Sequence, residues 1–329
     1  MGRSGIRRSR GHRTIFVRSL VPEWDSSRPS ACNSPHASLC ISIADPMLRG
    51  IWSDQCTKIS CRPGPEEVAV ESFVASPERI KAITEVIARP RFVNCEMLSV
   101  TAGVDPAWLR EVIPAPLEPD GDSVRVMVGR WQSNCVDDFA GAGVYVPARL
   151  GDTSGEYVLA MYMDTDVAII YGREVFGEPK KQATTQLRRA NGHAMAWVDR
   201  HGERIIHLEA ELTEDTGALE TTGVNFNIKA TPACNGDGLE DDAVLTIADF
   251  DVRFSVTMAG PGAMRLRGNG HDPLDSIPIT DIRGAVWQEG DLLAQARRAA
   301  TIPAGDFAPY YFARIDDYAL LDTETRQLM

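Results

Sequence analysis

The residues best suited to chemistry in this chain are Lys180 and Lys181, which close the stretch from Tyr171 to Lys181. They are two of only five lysines, set against 29 arginines, so arginine is the general-purpose cation of this sequence. A guanidinium keeps its charge at physiological pH, whereas an amine can lose its proton and attack a carbonyl carbon. An adjacent lysine pair in such a chain points to amine chemistry, with a solvated Lys-Lys turn as the plain alternative. A free lysine is neutral in only about one molecule in 2,500 at pH 7. Burial in an apolar pocket is the expected means of favouring the neutral amine, and a second ammonium nearby is a lesser one. On extended backbone the two side chains point to opposite faces, which separates their charges.

The elements around the pair must deliver the amine to a site. Glu156 to Met163 and Val167 to Ile170 are apolar and strand-like. Gly172 and Gly177 allow bends or close backbone approach, and Pro179 fixes its own φ just before Lys180.

At these residues the chain resembles the acetoacetate decarboxylase family, whose signature runs Gly-Arg-Glu, four residues, Pro-Lys-Lys, here Gly172 to Lys181. The similarity extends from about Cys95 to about Ala294. Its landmarks include Leu109-Arg110, Pro114 to Leu117, Val124-Arg125, Met161 to Asp164, Phe226 to Pro232, and Pro273 to Ile279. The resemblance implies that Lys180 forms a Schiff base with a keto acid and that Lys181 supports it. It also implies a mainly β (α+β) fold, an antiparallel sheet closed into a barrel or cone with a few short helices. Arg173 and Glu174 match the signature, and a structural pairing with each other is an equal reading. The family's decarboxylases place an arginine and two glutamates near the lysine, and in register these positions fall on Cys95, Met127 and Gly141. The substrate pocket is therefore expected to differ, with Arg125, on the strand face of Met127, as a replacement cation or a surface residue. Decarboxylation of acetoacetate or a related β-keto acid is the default activity. Aldolase, dehydratase or cyclase chemistry on an oxo acid, and a non-catalytic ligand-binding barrel, are the rivals.

Charge and composition bound the rest. The 329 residues carry a net charge of -12. Residues 1–64 hold ten basic and four acidic residues, +6, which leaves -18 for the remainder. A body that acidic is a poor partner for nucleic acid. No apolar run is long enough to span a bilayer as a helix. Of seven cysteines, four fall in the first 61 residues and three lie widely spaced in the body. With no Cys-x-x-Cys or His-Glu-x-x-His they give no metal-site pattern, and the body fits a reduced, cytoplasmic protein. No cofactor is expected, and Gly260 to Arg265 fails as a dinucleotide loop because arginine stands where the third glycine belongs. Residues 1–64 are arginine- and serine-rich and lie outside the resemblance. They are expected to be a disordered or non-native extension, a transit peptide being the alternative, before a single domain over 65–329 that is expected to form a homo-oligomer.

Local patterns fill in the elements. Ser76-Pro77-Glu78 is a capped helix start, Ile80, Ile83 and Ile87 give it one apolar face, and Pro90 stops it. A short helix follows Asp105-Pro106. Period-two alternation at Val124 to Val128, Ile206 to Leu212 and Val252 to Met258 predicts antiparallel strands, half buried and half wet. A last helix is expected over Asp291 to Ala300, with Tyr310, Tyr311 and Phe312 docking the tail.

Overall fold

The structure, a computed structural model, describes residues 72–320 and 322, so the expected extension over 1–64 lies outside the described residues. Helix α1, Pro77–Ile87, opens the described chain, its N-terminus capped by the Ser76 side chain, which accepts a hydrogen bond from the Arg79 amide at 3.2 Å. The expected helix is present, but among the described residues Ile80 and Ile83 of its apolar face are exposed, while Ile87 is half-buried. Then come β1 (Arg91–Val104), α2 (Pro106–Val112), β2 (Glu118–Pro119), β3 (Ser123–Ser133), β4 (Phe139–Leu150) and β5 (Thr153–Met163). Helix α3 (Asp166–Tyr171) runs into a π turn over Gly172–Phe176, followed by β6 (Lys180–Gln182). The strands β7 (Thr184–Ala190), β8 (His193–Arg200), β9 (Glu203–Glu211), β10 (Glu214–Asp215) and β11 (Leu219–Lys229) follow. The chain continues through β12 (Ala243–Gly260), β13 (Gly262–Leu266), β14 (Ile279–Ile302) and α4 (Ala304–Arg314).

Seven strands pair in the order β4-β3-β1-β14-β12-β11-β5, and β5 pairs back onto β4, so the sheet closes into a barrel. Closure removes the exposed edges that an open sheet would present. Most pairings are antiparallel, as expected, but β5 runs parallel to both β11 and β6. A second sheet, β13-β9-β8-β7, covers the outside. Alternation along the barrel strands decides which side chain goes where. On β1, Leu98, Val100 and Ala102 join the outer core with Ala196, Ile206 and Leu208 of the second sheet. Met97, Ser99 and Thr101 turn into the barrel lumen. The wet face expected of β3 is therefore a lumen face: Val124, Val126 and Val128 are fully buried outward, while Arg125 and Met127 point inward.

Two expected elements are corrected. Asp291 to Ala300 lies in the last part of β14, paired with Leu245 to Arg253 of β12, and the helix starts later, at Ala304. The alanine-, leucine- and arginine-rich segment favours a helix locally, but the sheet needs its backbone hydrogen bonds, and tertiary pairing overrides propensity. Val167 to Ile170 is helical; a short apolar run does not by itself distinguish a strand from a buried helix. On α4, Tyr311 docks into the core while Phe312 stays exposed.

Candidate active site

The barrel lumen holds a cavity of about 620 Å³, walled mainly by apolar side chains such as Met97, Met127, Trp131, Phe139, Met161 and Phe254. Lys180 enters this space from β6. In the parallel pairing with β5, Lys180 lies opposite Met161 and Lys181 opposite Tyr162. Met161 lines the lumen and Tyr162 belongs to the outer core, so the two lysines part to opposite sides of the sheet. Lys180 is 7 % exposed. Its Nζ donates to the Ala168 carbonyl at 3.2 Å, lies 2.8 Å from Glu178 Oε2, and sits 5.8 Å from the centre of the Phe139 ring.

The turn before β6 builds this arrangement. The Glu178 amide donates to the Gly172 carbonyl at 3.0 Å, and the Lys180 amide to the Glu178 carbonyl at 2.8 Å. Gly177, at φ 80°, ends the π turn in the left-handed region that suits glycine. The Thr246 hydroxyl on β12 donates to the Phe176 carbonyl at 2.5 Å and ties the turn to the barrel wall. π segments recur at functional sites, and this one brings the residues two before and at the lysine to one face.

Lys181 stands outside the lumen in a buried charge network. Its Nζ donates to Asp272 Oδ1 at 2.9 Å and to the His271 carbonyl at 2.7 Å. Arg200 bridges Asp272 Oδ2 at 2.7 Å and both carboxylate oxygens of Asp316. The Tyr162 hydroxyl completes Asp272 at 3.1 Å. Burial works to raise the Asp316 carboxyl, but Arg200 and then Lys181 outweigh it and hold it below the usual carboxylate range. Arg173 donates to the Lys180 carbonyl at 3.2 Å, outside the lumen, and Glu174 is exposed on the π turn.

The three residues expected at the family's polar positions fall in different surroundings. Met127 lines the cavity. Cys95 packs in the same inward cluster, its Sγ 3.3 Å from the Phe92 carbonyl, and burial, with Asp291 adding to it, pushes its thiol up. A neutral buried thiol is a small apolar filler rather than a nucleophile. Gly141 does not open space for substrate: a Cβ there would run into Met163 Sδ and the Tyr162 carbonyl, so Met163 already fills its place. Arg125 does point into the lumen, where its Nε donates to Glu156 Oε1 at 2.8 Å and its Nη2 to Glu156 Oε2, with the guanidinium 4.3 Å from the centre of the Tyr145 ring. Burial, more than any charge, pushes the Tyr145 phenol up, so it stands in the lumen as a neutral hydroxyl.

The sequence reading missed Glu178, Glu156 and the reason for Gly172. The signal for Glu178 is its place two residues before Lys180, close enough in the chain for a tight turn to bring the two side chains together. Glu156 lies on β5, whose inward face also carries Met161 and Met163; the pairing partner for Arg125 becomes visible only when β3, β4 and β5 close. Among the described residues, no group of three or more His, Cys, Asp or Glu is placed to hold a metal ion, and no helix is long and apolar enough to cross a membrane.

The fold and site define a mixed seven-strand barrel with a buried lysine–carboxylate pair on an apolar lumen. The profile of the Acetoacetate decarboxylase (ADC) family matches residues 75–301. A protein described as acetoacetate decarboxylase from Burkholderia cenocepacia is 30 % identical over 210 residues, covering 61 % of this chain and 84 % of that protein. The crystal structure of acetoacetate decarboxylase from Legionella pneumophila aligns with a TM-score of 0.60 at 22 % identity, over 64 % of this chain and 87 % of that one. The enduracididine biosynthesis enzyme MppR, complexed with the condensation product of pyruvate and imidazole 4-carboxaldehyde, aligns with a TM-score of 0.59 at 18 % identity, over 72 % and 98 %. This chain belongs to the acetoacetate decarboxylase family and has its fold.

Proposed function

We propose that this chain is a Schiff-base enzyme acting on a keto acid, with Lys180 as the nucleophile. The observation that carries the reading is the Lys180 amine, buried on the wall of the apolar lumen in the family's own signature. Acetoacetate decarboxylases are a known illustration of lysine activation by desolvation or a neighbouring cation. Here the second cation is turned away, since Lys181 is paired with Asp272 on the far side of the sheet. The neutral amine attacks the ketone, water leaves, and the protonated imine draws electrons from the adjacent carbon. A β-carboxylate then departs as carbon dioxide, and the enamine is protonated and hydrolysed.

A second reading, aldol or dehydration chemistry on an oxo acid, is favoured by the lumen's charges. Its four charged lining residues form two closed pairs, Lys180 with Glu178 and Arg125 with Glu156, so among the described residues no unpaired cation lines the lumen to receive a substrate carboxylate. The same balance, with Met127 in the wall, favours a keto acid with a longer apolar body over acetoacetate. The test is borohydride trapping with a panel of keto acids, scored also for carbon dioxide release and for aldol products. Adduct mass should fall on a peptide containing Lys180 and vanish in Lys180→Ala, and acetoacetate should turn over slowly. Labelling that survives Lys180→Ala would assign the chemistry to another residue, and rapid acetoacetate turnover would restore plain decarboxylation.

A further inference from the structure

Resting on the reading of Lys180 as the imine-forming residue, we propose that Glu178 is the catalytic proton carrier of this site, serving both imine formation and proton transfer at the carbon next to it. Glu178 is 7 % exposed, and its Oε2 lies 2.8 Å from the atom that would react, Lys180 Nζ. That oxygen is fully buried and accepts no well-aligned hydrogen bond among the described residues, so the lysine nitrogen is its polar neighbour. A purely structural buried carboxylate is normally satisfied by several donors, because an unsatisfied one costs stability. Asp272 shows that pattern in this same protein, held by Lys181, Arg200 and Tyr162. Glu156, the other lumen carboxylate, is held by two bonds from Arg125. Of the two that face the lumen, Glu178 is the one paired, among the described residues, with the amine alone.

The protons of imine formation balance without any outside donor. The ammonium–carboxylate pair becomes amine and carboxylic acid when one proton passes from Nζ to Glu178. The amine nitrogen forms a bond to the carbonyl carbon, giving a carbinolamine after its own proton moves to oxygen. Glu178 then gives its proton to the carbinolamine hydroxyl, the C–O bond breaks, and water leaves. The products are a protonated imine and a carboxylate, so the pair is neutral overall at the start and at the end. The regenerated carboxylate is next placed to take a proton from the carbon adjacent to the imine, whose C–H electrons move into the carbon–carbon bond of the enamine. Returning that proton to carbon reverses the step. On the decarboxylation route Glu178 is still a carboxylate when carbon dioxide departs. It then takes a proton from solvent water, leaving hydroxide to the medium, and passes it to the enamine carbon. One carboxylate thus serves the decarboxylation and the aldol readings alike.

The test is hydrogen–deuterium exchange of the methyl group of pyruvate and of 4-phenylbutan-2-one in deuterated water, run with native protein, Glu178→Gln and Lys180→Ala, beside borohydride trapping. The native protein should exchange and give an adduct at Lys180. Glu178→Gln keeps the volume and loses the transferable proton. Its exchange should fall at least about a hundredfold, in the range of general acid–base contributions, and the limb of the pH–exchange profile that Glu178 supplies should vanish. Adduct formation should slow but still reach Lys180. If Glu178→Gln does not fold, Glu178→Asp carries the comparison, with a drop of at least about tenfold because the carboxylate is withdrawn by one methylene. Adducts at Lys180 in both proteins with equal exchange rates and pH profiles would overturn the role of Glu178 alone. No adduct in the native protein with either probe would overturn the Schiff-base reading, and this assignment with it.

Discussion

Replacing Gly172 by alanine should separate the stability of this protein from its chemistry. Gly172 is the buried first residue of the π turn, at φ -63° and ψ -41°, a conformation that any residue adopts without strain. The constraint is space. A Cβ added there would lie 2.5 Å from Lys180 Cδ and 2.6 Å from Lys180 Nζ, and nearer still to Glu178 Oε2. These separations are well inside the roughly 3.5–4.0 Å at which heavy atoms pack, so the amine and its carboxylate must both retreat by about 1 Å. Overpacking costs about 1–3 kcal/mol, and alanine in place of glycine in a helical turn returns about 0.8–1 kcal/mol. The net destabilisation is then about 0–2 kcal/mol. At about 2–4 °C per kcal/mol for a domain of this size, the Tm should drop by no more than about 8 °C. A displacement of about 1 Å at a reacting group can cost about a hundredfold in rate. The assay is the rate of borohydride-trapped adduct formation at Lys180, with Tm and the circular dichroism spectrum as controls. A folded Gly172→Ala protein that traps at the native rate would refute the claim that this glycine is there to make room for the pair.

Two further outcomes follow from the charge pairs. Arg125→Met leaves Glu156 in the lumen without its guanidinium partner. The loss should cost about 1–3 kcal/mol, since hydrogen bonds to charged groups are worth about 1.5–3 kcal/mol and this pair keeps some solvent contact. Arg125→Met combined with Glu156→Gln should cost less than the sum of the two single changes, and strict additivity in denaturant melts would mean that the pair is not coupled. On the other side of the sheet, the Asp316 carboxyl is held low in the folded state, so its contribution to stability is complete above the unfolded aspartate value near 3.9 and is lost as pH falls through the lower folded value. Asp316→Asn should therefore lower Tm at neutral pH, and the gap from native protein should shrink below about pH 4. A gap that stays constant down to about pH 2 would sink this assignment.

The sequence by itself determined the family and much of the strand set, and it singled out Lys180 as the candidate for chemistry. A Pro179-Lys180-Lys181 run in an arginine-dominated chain carries its own chemical argument, and the period-two runs at Val124 and Ile206 are strands because one side of each is apolar. It also placed the two lysines on opposite faces, a consequence of backbone geometry alone. What only the tertiary structure decided are the properties that depend on which faces meet. Asp291 to Ala300 favours a helix locally, yet it is strand because β12 pairs with it along most of its length. The polar face of β3 looks like a surface until closure of the barrel turns it inward, where Arg125 finds Glu156 thirty-one residues away. Gly141 looks like open pocket until Met163, across the β4–β5 pairing, is seen to fill it. The identity of the group beside the amine was also decided in three dimensions. The π turn and the tight Glu178-to-Lys180 bend bring two side chains of opposite charge onto one atom-to-atom contact, and Gly172 leaves them the volume to do so. Local pattern records which face a side chain prefers, whereas the partner it meets there is set by strand closure, because the residues that meet are distant in the chain.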